Sequence, residues 1–222
     1  MGPAGSALTP DWFGDDSVAV APRLLNKVIA VRHADGWRWA RLVEVEAYAG
    51  YERASHSYGG PRPRNAVMYG PPARLYVYFT YGMHWCANVV TGPPGSAQAV
   101  LLRAAEPLGG IAARPGLAAR DLCRGPARLA RSLGLDGGWN GAVLASGARR
   151  PVGAVVMLDD GVPPPAVPAV GPRVGISKAT ELLWRWWVPD SRHVSSFRPG
   201  RPATGRPTGP GSRPGSRPPR GI

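Results

Sequence analysis

Short apolar runs separated by turn residues repeat along this chain and read mostly as strands. Residues 27 to 32 contain Val28, Ile29, Ala30 and Val31, Ala34-Asp35-Gly36 supplies turn chemistry, and residues 37 to 47 read as the hairpin partner, with Glu46 at its far end. Residues 76 to 80, 84 to 90 and 97 to 105 make a meander, with a bend at Tyr81-Gly82 and a turn at Thr91-Gly-Pro-Pro-Gly95. Further strands are expected over 152 to 158, over 173 to 176 and near Val194, with Ser177 capping a turn that leads into Trp184-Arg-Trp-Trp187. Helical spacing is confined to a short piece within 11 to 25 and to 117 to 133, where Gly125-Pro126 interrupts it and proline can open a second helix.

Strands outnumber helices and run mostly antiparallel, which places the chain in the α+β class as a single domain over residues 11 to 197. Residues 49 to 74, rich in Gly, Pro, Arg and Asn, form an ordered loop, and loops of that length in a compact domain are usually functional. Residues 1 to 10 and 198 to 222 bury too little to fold, and in the latter Gly-Ser-Arg-Pro recurs at 211 and 215.

Alternation decides which side chains meet. Tyr76 and Tyr78 share a strand face, Gly82 bends the chain so that Tyr81 projects, and Glu46 shares a face with Tyr48. A carboxylate beside flat rings suits a pocket for a planar ligand. Glu44 lies on the same face as Glu46, so alternation alone does not choose between them.

The formal charge is +13 and the isoelectric point about 10.9, the footprint of a chain that meets polyanions. Six of the arginines lie in 198 to 222 without an acid, which leaves +7 for the rest. No basic amphipathic helix or long apolar run points to membrane, so nucleic acid is the expected partner. Cys86 and Cys123 are too few for a disulfide framework and fit a reducing compartment, the cytoplasm or nucleoid. His84-Trp-Cys86 has no second ligand pair at zinc-finger spacing, so no metal or other cofactor is expected. Lys27 and Lys178 are the only lysines, and with neither expected where a Schiff base would form, hydrolysis by water is favoured over lyase chemistry. Phosphate-loop and nucleophile-elbow motifs are absent.

Glu46-Ala-Tyr48, Ala54-Ser-His56, Pro63-Arg-Asn65, the run from Tyr76 to Asn88, and Leu101-Leu-Arg103-Ala104 together resemble the alkyladenine (3-methyladenine) DNA glycosylase family across residues 22 to 196. The resemblance implies a curved antiparallel sheet with peripheral helices and a monomeric, monofunctional enzyme that everts alkylated or deaminated purines from double-stranded DNA and hydrolyses the glycosidic bond. It assigns Glu46 as general base, with Arg103 and the main chain of Val174 holding the water. Tyr48, His56, Tyr78 and Asn88 would clasp the everted base, and Tyr81 would fill the vacated stack. Arg62, Arg64, Arg124 and Arg128 are candidate phosphate contacts, and the arginines after Phe197 would add nonspecific affinity. A non-catalytic binder of distorted duplex is the alternative, and a small-molecule enzyme on a related sheet a weaker third. The chain departs from the family pattern with a shorter segment between Tyr48 and His56, a short 109 to 123, and Arg192-His193.

Overall fold

A computed structural model describes residues 2–80, 82–147 and 149–200. Among these, nine strands form one sheet: β1 (Ser6–Ala7), β2 (Val28–His33), β3 (Gly36–Tyr48), β4 (Leu75–Thr80), β5 (His84–Thr91), β6 (Gln98–Gly109), β7 (Val155–Asp159), β8 (Ala169–Gly171) and β9 (Arg185–Trp187). Their order is β1-β7-β2-β3-β6-β5-β4, with β8 and β9 branching from β3, and every strand pairing is antiparallel. Two α-helices accompany the sheet, α1 (Ser17–Arg23) and α2 (Pro126–Leu133). The α+β reading, the β2–β3 hairpin and the β4–β5–β6 meander all hold.

Each helix has local reasons to start and stop. The Asp16 side chain accepts hydrogen bonds from Val18 N and Ala19 N at the head of α1. Pro126 occupies the first turn of α2, and Gly134, at φ 71°, ends it in the left-handed region.

Period-two alternation divides the sheet into two chemistries. Val45 and Ala47, Val100 and Leu102, Ala87 and Val89, and Leu75 and Val77 enter the main core with Leu129 and Leu133 of α2. The intervening residues form the other face, and the register aligns Glu46, Leu101, Asn88 and Tyr76 in a row across β3, β6, β5 and β4. Between Leu42 and Val45 the ladder slips and recovers, so that Val43 and Arg103 have no directly opposite partner. Such a bulge tightens twist and re-aims side chains.

Four expectations are corrected. Residues 1 to 10 are not without structure: β1 pairs with β7, Leu8 N donates to Met157 O, and Leu8 is buried. Residues 117 to 125 hold no α-helix but a single 3-10 turn, Ala119–Asp121, followed by turns that drop Leu122 and Cys123 into the core. The strand expected at 173 to 176 lies earlier, at β8, because Arg173 is drawn inward to a carboxylate and Gly175 turns at φ 76°. Among the described residues the last strand is β9 and not near Val194, where Ser191 O accepts from Val194 N in a turn. Of the tail expected to be unfolded, residues 201–222 lie outside the described residues, while Arg198 O accepts from Gly175 N.

Candidate active site

The polar face of β3–β6 floors a cavity of about 510 Å3. Its wall includes Tyr48 from β3, Tyr76, Tyr78 and Thr80 from β4, His84, Cys86 and Asn88 from β5, and Leu101 and Arg103 from β6, so alternate residues of four strands build it. Loop residues complete the lining, Arg53 and His56 and Val174 to Lys178, together with Pro126 and Ala127 of α2. A pocket of this size, apolar and aromatic with a few aimed polar groups, is the usual form of a small-ligand site.

Glu46 is fully buried and sits behind this wall, tied to three residues that line it. Val174 N donates to Oε1 at 2.7 Å, Tyr48 OH donates to Oε2 at 2.9 Å, and Arg103 Nη1 stands 3.3 Å from Oε1. Burial raises its pKa above the ordinary 4.5, opposed by Arg103, the Val174 N–H and the Tyr48 hydroxyl. A carboxylate offers about four lone-pair directions, so this one keeps capacity to accept from a ligand or water.

Glu44 is more fully engaged, with four donor groups from three residues. Oε1 accepts from Arg185 Nε at 2.7 Å, Ser195 Oγ at 2.9 Å and Arg103 Nε at 3.1 Å, and Oε2 accepts from Ser195 N at 2.8 Å. Arg103 also donates Nη2 to Ser195 Oγ at 3.1 Å, so it bridges the two carboxylates while anchored from behind.

Tyr76 and Tyr78 stack with centroids 5.5 Å apart and planes at 29°, and His56 meets Tyr78 edge-on at 4.5 Å. His56 Nδ1 lies 3.0 Å from Tyr76 OH. The His56 ring stands exposed at the rim, yet partial desolvation and then Arg64 lower its pKa, which keeps it neutral near pH 7. Burial pushes the Tyr76 phenol up to about 12, the Cys86 thiol up to about 11, and Tyr48 and Tyr78 upward as well. Asn88 Nδ2 donates to Tyr76 O, which holds the amide in the floor. The Arg173 guanidinium lies 4.6 Å from the Tyr48 ring centroid.

The loops are tied down. Arg173 is buried and forked onto Glu52 at 2.7 and 3.0 Å, with a further bond to Ala47 O, which locks the Val174 amide over Glu46. Asn65 donates to the carbonyls of His56 and Gly60 and accepts from Arg62 N, fixing the bend that carries His56.

The structure therefore brings together Glu46, Arg103, Val174, Tyr48, His56, Tyr78 and Asn88. Tyr81 lies outside the described residues; around its position Met83 N donates to Thr80 O, and Phe79 and Met83 are exposed. Arg62, Arg64 and Arg128 are exposed. Arg124 is engaged internally, through Nε to Val194 O at 2.7 Å and Nη1 to Asp121 at 3.2 Å.

Lys178 corrects one expectation, since it lines the cavity the sequence reading had left without an amine. Cys86 was legible by alternation from Asn88, whereas the Glu52–Arg173 and Glu44–Arg185–Ser195 ties join segments too far apart in sequence to pair beforehand. Among the described residues no group of three or more His, Cys, Asp or Glu side chains gathers as a metal site would require.

Residues 11–192 match the family model of methylpurine-DNA glycosylase. A Burkholderia lata protein provisionally named a 3-methyladenine DNA glycosylase is 52% identical over 197 residues, which cover 86% of this chain and 92% of the relative. Proteins of the same provisional name from Rhodopseudomonas palustris (46% identical; 87% and 90% covered) and Frankia casuarinae (44%; 86% and 93%) are similar over the same extent.

Proposed function

The chain belongs to the methylpurine-DNA glycosylase family, and from that premise we propose that it everts alkylated or deaminated purines from duplex DNA and hydrolyses their glycosidic bond with a water activated by Glu46. The observation that carries the reading is a buried, incompletely saturated carboxylate set directly behind a tyrosine-lined cavity.

The everted base enters between Tyr48 and the Tyr78–His56 pair. An N-alkylated purine is cationic, and a cation over an aromatic face gains about 0.5–2 kcal/mol. That gain favours 3-methyladenine and 7-methylguanine over normal bases. Hypoxanthine is neutral and depends on edge contacts, which a neutral His56 and the fixed Asn88 supply.

As the bond to the sugar breaks, positive charge builds on the deoxyribose, and the Glu46 carboxylate stabilises it from close range. The same carboxylate takes a proton from the attacking water as its oxygen bonds to C1′, and the base departs with the electron pair of the glycosidic bond. Arg103 and the Val174 N–H hold the carboxylate in place, and Glu44 holds Arg103. In this reading the Tyr81 wedge rests on the family resemblance, and the exposed Phe79 and Met83 flank its bend.

Single-turnover base release from duplexes carrying hypoxanthine or 3-methyladenine tests the proposal. Release by the wild type and its loss in Glu46→Gln is expected; tight binding without release by the wild type would return the chain to the non-catalytic alternative.

A further inference from the structure

We propose that residues 196 to 200 are a positioning strap for the reaction: their main chain holds the turn whose Val174 amide grips Glu46. The strap rests on the glycosylase reading and extends it to residues which that reading does not use.

The turn has no regular structure to aim it, since residues 172 to 180 belong to no strand or helix. Val174 N donates to Glu46 Oε1 at 2.7 Å, and at the next residue the chain reverses, with Gly175 at φ 76°, a region open to glycine. Gly175 N donates to Arg198 O at 2.9 Å. Consecutive main-chain donors therefore serve the carboxylate and the C-terminal segment. Before the turn, Arg173 is anchored by Glu52; after it, the anchor is the strap. Gly200 lies so close that a Cβ there would collide with Ile176 O and come within 2.9 Å of Ser177 N. The contact is backbone on backbone, with no room for a side chain. Pro199, between the two contacts, has one dihedral fixed by its ring.

The near end of the strap is held as firmly. Ser195 N and Oγ donate to Glu44, Arg185 Nη2 donates to Ser195 O at 3.2 Å, and the Arg185 guanidinium lies 6.0 Å from the Phe197 ring centroid. One short stretch thus runs from the partners of Glu44 to the turn that holds Glu46. A hydrogen bond to a carboxylate depends on direction, and a misplacement of about 1 Å at a reacting centre can cost about 10²-fold in rate.

The test is the pH profile of single-turnover release from a hypoxanthine-containing duplex by the full chain carrying Gly200→Val, whose bulk lifts the strap from Ile176 and Ser177. Maximal release should slow by about 10- to 100-fold, with affinity for the duplex changing far less. The Val174 N–H lowers the Glu46 pKa, so loosening it should move the acid limb to higher pH. Arg103, Tyr48, Glu44, Tyr78 and Cys86 also act on or feel the Glu46 charge, and the atoms an added carbon meets first belong to none of them. Gly200→Ala should show the same changes in smaller size, which serves if the valine variant does not fold. An unchanged rate, or a slower rate with the acid limb unmoved, overturns the strap. Failure of the wild type to release any base refutes the glycosylase reading instead. The strap is then judged by hydrogen exchange of the Val174 and Gly175 amides, which should quicken in the variant; unchanged exchange overturns it.

Discussion

Glu44 and Glu46 stand two residues apart on one face of β3, equally buried, and their surroundings give them different work. The region around Glu44 is closed: β6, β9 and the segment at Ser195 deliver four hydrogen bonds to it. The region around Glu46 is left incomplete on the side where the cavity lies. Burial alone therefore does not mark a reactive carboxylate. Under the proposed function, what sets Glu46 apart is that all three of its partners line the cavity.

The same substitution at the two positions should break this contrast if it is wrong. Glu46→Gln should slow base release by about 10²–10⁴-fold, the range for a general base. Its unfolding midpoint in urea should stay near wild type, since a neutral amide suits burial and Arg103 keeps Glu44. Glu44→Gln should instead cost about 3–5 kcal/mol of stability, because Arg103 keeps Glu46 but the buried Arg185 loses its one carboxylate partner among the described residues. Equal losses of activity and stability in both variants would erase the distinction.

Tyr48→Phe sharpens the contrast on the Glu46 side. A hydrogen bond to a charged group contributes about 1.5–3 kcal/mol, so release should slow roughly 10- to 100-fold. The pH profile gives the sign. The base must be ionised and burial raises its pKa, so wild-type release should fall with acidification beginning above the ordinary 4.5. The Tyr48 hydroxyl lowers that pKa, so its removal should move the acid limb to still higher pH; a limb shifted downward contradicts the role.

Lys178→Ala should have the smallest effect. Release should change by no more than about 0.5 kcal/mol, as for an ordinary surface substitution. Borohydride should trap no adduct that depends on Lys178. A Lys178-dependent adduct would instead make the cavity-lining amine a nucleophile and replace the hydrolytic route.

What could be read beforehand followed the reach of each signal. Alternation is local, so the β2–β3 hairpin, the meander, the shared face of Glu46 with Tyr48 and that of Tyr76 with Tyr78 were visible in the residues themselves, whereas the row that joins the two pairs came from the sheet register. The choice between Glu44 and Glu46 was not, because both obey the same period. It took Ser195 and Arg185, well over a hundred residues away, to occupy one of them. Arg173 shows the opposite failure. Its segment reads as extended, yet pairing with Glu52 overrides that local preference and moves the strand to β8. The N-terminal residues fold for a similar reason: β7 offers an open edge that the sequence of residues 6 to 7 does not announce.

Strand order has a consequence for how such a protein can change. Both acids sit on β3, near the middle of the sheet, whereas Tyr76 and Tyr78 sit on β4, at one end of the strand order. Under the proposed function, the chemistry is rooted in the middle of the sheet, and part of the choice of lesion, through Tyr78, is made at its edge. A lineage can then drift from one damaged base to another through its margin while inheriting its reaction intact.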